Sequence, residues 1–260
     1  MNPHYRRIVE AYYLSLYSTQ CDDAISNYLS DDYVEHQYTA GFTKSGLAKY
    51  VKQRVQGSPE HQVVIHHVLG QTDFIFLFVE EKLGDNQDIA RAELFRLQDD
   101  RIAEHWGGQV VDEKNRKNAN GTFDGTQVNR NVDYARQYVE GFEALDLMGF
   151  NEQQLDAFYE SRTLDYKQHS PKGADGLIGL VDVLTSMKES GIKMTMQPKR
   201  VMVDGDFILC HRLYDTEPKH PLVNRINTFD MFRINAEGKA VEHWDVMEDV
   251  PGEEWLTKMY

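Results

Sequence analysis

Apolar residues recur at helical spacing in two stretches of the chain. Residues 4–20 place Ile8, Tyr12 and Leu16 on one face, and residues 128–148 do the same with Tyr138, Phe142 and Leu145. Shorter helical patterns follow near 22–30 and 151–160. Each is succeeded by a short strand holding Tyr33 or Tyr166. A third helix is predicted after 43–45 and after 172–175, with Ser45 and Asp175 as natural N-caps. The pattern then changes to strands, over about 61–69, 73–83, 89–98 and 101–111. It changes again over about 193–203, 206–216, 222–235 and 239–248. The apolar run from Phe74 to Val79 reads as a buried strand by its length. Asp204-Gly205 and Glu237-Gly238 read as hairpin turns.

The two series are one series repeated. Leu94-Phe95-Arg96-Leu97 and Ile102-Ala103-Glu104-His105-Trp106 match Met231-Phe232-Arg233-Ile234 and Ala240-Val241-Glu242-His243-Trp244. Tyr33 and His36 match Tyr166 and His169, and Asp73-Phe74-Ile75 matches Asp206-Phe207-Ile208. The offset drifts from about 133 to 138 residues, as small loop insertions produce. Helices first and strands after make an α+β unit. The expectation is two such domains, 1–112 and 127–260, joined by a polar linker at 113–126. In each, N-terminal helices pack on a curved antiparallel sheet and leave a cone-shaped pocket. The two copies are expected to pair as an internal pseudo-dimer, with further homo-oligomerisation open.

A formal net charge of -14 argues against nucleic acid and against anionic membrane surfaces as partners. Two cysteines cannot form a disulfide framework, which points to a reducing, cytoplasmic setting. No apolar h-region follows Met1, and no stretch has the length of a membrane span, so neither a secretory signal nor an anchor is expected.

Side chains alternate across a strand, so His243 shares a face with Asp245, and Asp230 shares one with Phe232. From this alternation His211, Asp230, His243 and Asp245 are expected to enter one cavity, with His169 at its rim. An aspartate against apolar walls has a raised pKa and becomes a usable base. The alternative is that Asp245 and His243 only make structural hydrogen bonds. The recurrence of His105 in the first copy favours a shared structural role for that histidine. His169, His211 and His243 lack the tight spacing of a metal site, so no metal is expected. His61, His66 and His67 read as a solvated strand edge. Trp106 and Trp244 read as core packing, and Tyr12, Tyr13 and Tyr17 as core or interface.

Asp230-Met231-Phe232-Arg233 followed by 238–246, together with Tyr166–Pro171 and Asp204–His211, resembles SnoaL-like polyketide cyclases of the NTF2-like superfamily. The resemblance implies acid/base chemistry without a cofactor on a small, hydrophobic carbonyl compound: aldol-type cyclisation, isomerisation or dehydration. In it Asp245 removes an acidic α-proton and returns one to the new alkoxide, while His243 or His211 steadies the oxyanion. Asp230 belongs to the same catalytic group, and His169, Tyr166 and Phe232 are expected to touch substrate. A non-catalytic ligand-binding protein and a scaffold are the alternatives. The first copy departs from the pattern, with Gly107 opposite Asp245 and Phe78 opposite His211. It is therefore expected to be degenerate, and Gly107→Ala to do little.

Overall fold

The computed structural model describes residues 1–58, 60–84, 88–218 and 225–260. The first series runs α1 (Pro3–Leu16), α2 (Cys21–Tyr28), β1 (Leu29–Glu35), a tight turn at Tyr38–Ala40 and α3 (Lys44–Gly57). It continues through β2 (Gln62–Gln71), β3 (Phe74–Lys82), β4 (Asp88–Gln98) and β5 (Arg101–Val111). The second runs α4 (Tyr134–Asn151), α5 (Ala157–Ser161), β6 (Arg162–Gln168) and α6 (Gly176–Glu189). It ends in β7 (Lys193–Asp204), β8 (Phe207–Glu217), β9 (Arg225–Ile234) and β10 (Ala240–Asp249), before a short α7 (Leu256–Met259). Residues 222–224 of the predicted strand 222–235 lie outside the described residues.

Each series forms one five-stranded sheet, in the orders β1-β5-β4-β3-β2 and β6-β10-β9-β8-β7. The fold is α+β in two domains. The sheets are mixed rather than antiparallel, because β1 and β6 return across the helices and pair parallel to the closing strands β5 and β10. The registers repeat as closely as the order does. Val34 faces Glu104 and Glu35 faces His105, as Lys167 faces Glu242 and Gln168 faces His243. Even the irregularities recur, between Ile65 and His67 in β2 and between Pro198 and Arg200 in β7.

Local chemistry explains the element ends. Asn2 accepts from the His4 and Tyr5 amides and Pro3 opens α1. Thr43, not the expected Ser45, caps α3 by accepting from the Gly46 amide at 3.0 Å. Asp175 stands at the N-cap position of α6 but spends its carboxylate on the Gln168 amide and Asn120 instead. Gly205 takes φ +61 in the β7–β8 turn, where any Cβ would meet the Asn129 carbonyl at 2.2 Å.

The compact units differ from the chain order at their ends. The first contains Met1–Asp112 together with Pro251–Tyr260, and the second contains Glu113–Val250. Residues 113–126, read as a linker, are held by the second unit: Arg116 donates to the His169 carbonyl, and Asn118 to those of Ser170 and Gly173. The last ten residues, read as part of the second domain, pack in the first unit, where Trp255 stacks on Phe42. In the first core, Val9, Tyr12, Tyr13 and Leu16 of α1 lie against Ile75, Leu77 and Phe95. In the second, Phe142 lies against Phe232 and Cys210, and Phe150 and Phe158 against Tyr214 and Leu177. His61, His66 and His67 are not a solvated edge. His61 sits 2.7 Å from Glu81, His66 2.9 Å from Glu80, and His67 is buried.

Candidate active site

The inward face of the second sheet carries a buried polar array. Cys210, Arg212 and Tyr214 alternate inward along β8, and Cys210 stands directly across from Asp230 of β9. Asp230 in turn faces Asp245 of β10, and Phe232 faces His243. Asp230, His243 and Asp245 thus offer three ligating atoms within 4.8 Å of one another. His243 Nε2 lies 3.4 Å from Asp230 Oδ1, its Nδ1 meets the Gln168 amide at 3.0 Å, and its ring stacks on Phe232 at 4.5 Å. The Tyr214 hydroxyl donates to Asp230 Oδ2 at 3.2 Å, and an Arg212 nitrogen lies 3.6 Å from the same oxygen.

Behind this group lies a charge ladder. Asp146, 0% exposed on the apolar face of α4, accepts from Arg162 at 2.6 Å and pairs with Arg212 at 2.9 Å. Arg212 also pairs with Glu143. Burial alone would raise the Asp146 carboxyl, but Arg162 and Arg212 overcome it and hold it below the ordinary value. Asp245 is in the opposite condition. Burial pushes its carboxyl up and Asp230 adds to the push, against the weaker pull of His243, a Ser170 hydrogen bond and Lys172. Tyr166, buried nearby with its ring 6.5 Å from His243, is pushed up to about 12 mainly by burial.

Five of the expected site residues therefore meet: Asp245, Asp230, His243, Phe232 and Tyr166. Two do not. His211 sits at the opposite parity from Cys210 and Arg212, so it leaves by the other face, stacks on Phe229 at 4.2 Å and meets Asn227 at 2.8 Å. His169 also lies on that other face, because its partners are Glu242 and Trp244, which alternate with His243. Its ring stacks on Trp244 at 4.5 Å and its Nδ1 meets the Gly121 carbonyl. The sequence reading missed Arg212, Asp146, Arg162 and Gln168. One signal was available: Asp146 falls four residues after Phe142 on an otherwise apolar helix face, and an acid there needs a buried cation.

The first unit holds an array of its own. His105 Nδ1 meets Glu35 at 2.9 Å and its Nε2 meets Glu93 at 2.6 Å. Arg91 donates to Glu93 at 2.6 Å and to Glu81 at 3.2 Å, and Tyr13 donates to Glu93 at 3.0 Å. Burial works against a charged His105, yet Glu35 and Glu93 carry its pKa to about 10. At neutral pH it is a fixed imidazolium. In the second unit Gln168 stands where Glu35 does and Asp230 where Glu93 does, so His243 hydrogen-bonds one carboxylate and one amide instead of two carboxylates.

No family model matches the chain, and no curated protein matches its sequence. Solved structures do align with it, each over less than half its length. TsrD from Streptomyces laurentii is 16% identical, with 43% of this chain and 89% of that one covered at a TM-score of 0.37. IdmH from Streptomyces antibioticus, described as a candidate polyketide cyclase, is 18% identical over 45% and 97% of the two chains, also at 0.37. A candidate polyketide cyclase from Bacillus cereus aligns at 14% identity over 41% and 74%, at 0.36.

Proposed function

We propose that the second unit is an acid/base catalyst that works on a small, hydrophobic carbonyl compound with side chains alone. The observation that carries this reading is Asp245: an inward carboxyl raised by burial, set beside Asp230 and His243. A raised pKa makes a carboxylate a stronger base and brings its protonation closer to neutral pH. Asp245 takes the α-proton of the bound carbonyl compound. The resulting enolate adds to a second carbonyl or is reprotonated, and Asp245 returns the proton. His243, oriented through Nδ1 by Gln168, is the hydrogen-bond donor closest to the developing oxyanion. Arg212, itself paired with Asp146 and Glu143, stands 3.6 Å from Asp230 and holds that carboxylate beside the site. Phe232 and Tyr166 supply the apolar wall that selects a hydrophobic substrate.

The reaction class suggests its own assay. A panel of hydrophobic 1,3-dicarbonyl compounds is incubated with the protein in D2O, and deuterium uptake at the α-carbon is followed by NMR. The wild-type protein should accelerate uptake for at least one member, and Asp245→Asn should lose about 10²–10⁴-fold of that rate while its thermal melt stays in place. Undiminished exchange by a folded Asp245→Asn protein removes Asp245 from the mechanism. Saturable binding with no exchange by the wild-type protein replaces the catalytic reading with a binding one.

A further inference from the structure

The arrays of the two units differ in charge as well as in residues. In the first, Arg54, Arg91 and the imidazolium of His105 face Glu35, Glu81 and Glu93, three cations against three carboxylates. In the second, Arg162 and Arg212 face Glu143, Asp146, Asp230 and Asp245, two against four. Glu143 Oε2 is buried without a partner. Lys172 stands at the rim, where it is exposed and pairs with Glu113 at 3.4 Å. Even a protonated His243 leaves this array one cation short. Carboxylates gathered away from water need positive charge beside them. The shortfall lies where Asp245 replaces the Gly107 of the first copy.

Asp230 and Asp245 stand directly opposite each other on β9 and β10, and His243 lies two residues before Asp245 on the same face. Each offers an atom within 4.8 Å of the other two. The 3.4 Å from His243 Nε2 to Asp230 Oδ1 is long for a hydrogen bond. It matches the edge of a tetrahedron, since two ligands about 2.0 Å from a zinc ion stand about 3.3 Å apart. Gln168 presents its oxygen at 3.1 Å and its nitrogen at 3.0 Å to His243 Nδ1. That oxygen also accepts from the Ser170 amide at 2.9 Å. An Nδ1–H directed at it turns the Nε2 lone pair toward the carboxylates, the way ligating histidines are held. Tyr214 and Arg212 engage Asp230 through Oδ2 and leave Oδ1 to the ion. All three residues keep surface open to solvent: the His243 and Asp230 side chains are 10% and 7% exposed, and Asp245 is half-buried. We propose that Asp230, His243 and Asp245 bind one divalent transition-metal ion of the zinc type, with water as a fourth ligand. The other two histidines weighed from the sequence take no part, because His169 and His211 leave by the far face. The first unit has no such site: Gly107 supplies no ligand, and both nitrogens of His105 are held by carboxylates. Binding stands on these three ligands and not on the catalytic reading of Asp245. An ion on Asp245 takes the lone pair that would remove a proton, so it should stop the exchange reaction.

The test uses the full chain stripped with EDTA, with Co²⁺, Zn²⁺ and Mg²⁺ as probes. One equivalent of Co²⁺ should give the visible absorption of a four-coordinate site. Zn²⁺ should displace it, and Mg²⁺ at the same concentration should not. Affinity for Co²⁺ should fall about tenfold or more in Asp245→Asn and in Asp230→Asn, each melted first in EDTA to show that it folds. If neither folds, the imidazole nitrogen spectrum of the wild-type protein decides. There Zn²⁺ should move the signals of the one histidine ring in contact with Phe232. Absence of the Co²⁺ band overturns the proposal. So does equal Co²⁺ affinity in a folded Asp245→Asn protein, or Zn²⁺ moving other histidines and not this one. Exchange measured in EDTA keeps the two readings apart. A protein that binds Co²⁺ and exchanges nothing loses the catalytic reading alone; one that exchanges and ignores Co²⁺ loses the metal site alone.

Discussion

His105 and His243 occupy the same register position, and their chemistry diverges through one neighbour. Glu35 against Gln168 is the difference between an imidazolium clamped by two carboxylates and a histidine hydrogen-bonded to one carboxylate and one amide. The same scale decides what Gly107 does. The sequence reading expected Gly107→Ala to be nearly silent, on the ground that glycine offers no chemistry. The structure places Glu93 Oε2 at 2.8 Å from the added Cβ, and that oxygen is tied to His105. Glu93 cannot yield without breaking its buried hydrogen bond to His105 or shifting the strand. Gly107→Ala should cost about 1–3 kcal/mol, the usual penalty of overpacking a filled interior. Urea unfolding measures it; a midpoint equal to the wild type would show that Glu93 swings aside freely.

Among the elements, the helices and strands follow their patterns, and what the patterns did not reveal is partnership. β1 and β6 were legible as short strands around Tyr33 and Tyr166. Their parallel pairing with β5 and β10 is a long-range choice that no local period encodes. The polar stretch 113–126 read as a linker because it is polar and rich in glycine and asparagine, yet it binds by single polar groups rather than by an apolar face. The Asp124 carbonyl accepts from Trp244 Nε1 at 2.9 Å, and Gly125 closes over the stacked Trp244 and His169 rings. In the first unit the Lys258 carbonyl likewise meets His36, whose ring stacks on Trp106. Gly125 has φ +113, and an added Cβ would reach Trp244 at 2.4 Å. Gly125→Ala should therefore loosen this segment from the second unit, at about 1–3 kcal/mol. Hydrogen exchange would register it as faster exchange at residues 117–124. Unchanged protection there would mean the segment is held elsewhere.

For the molecule as a whole, the buried charges set a pH window. Glu81, with burial opposing and His61, Arg91 and Arg54 prevailing, is held at about 2. Glu242 is held at about 2 by His169, Thr126 and Arg233 against burial. Both lie below the ordinary value of 4.5, so their contribution is complete above that pH and is lost as pH falls toward 2. His105, raised from 6.5 to about 10, acts at the other end. Its contribution is complete below 6.5 and is lost as pH rises through 10. Tyr166, raised from 10.0 to about 12, adds loss in the strongly alkaline range. Thermal melts should be highest between about pH 4.5 and 6.5, fall below that range, and fall steadily from about pH 6.5 up to pH 10. In Glu35→Gln the alkaline fall should be smaller and level off at lower pH, because its onset is set by the unfolded imidazole and only its end by the folded one. An alkaline limb identical to that of the wild type would detach His105 from it.

The duplication, the order of the elements and the pairing of Asp230, His243 and Asp245 were all determined by the sequence. Repeats and the two-residue alternation of strands are local properties that survive in one dimension. The alternation also misled where it was followed across strands. His211 and Asp245 each had a face, but only the register says which faces coincide, and it sent His211 to the far side with Phe229. Arg212, Asp146, Arg162 and Gln168, and the amide of Gln37 over Gly107, come together from helix, turn and strand positions far apart in the chain. Tertiary structure alone decided those meetings, because a buried charge or amide takes its meaning from its partners, and sequence spacing does not name them.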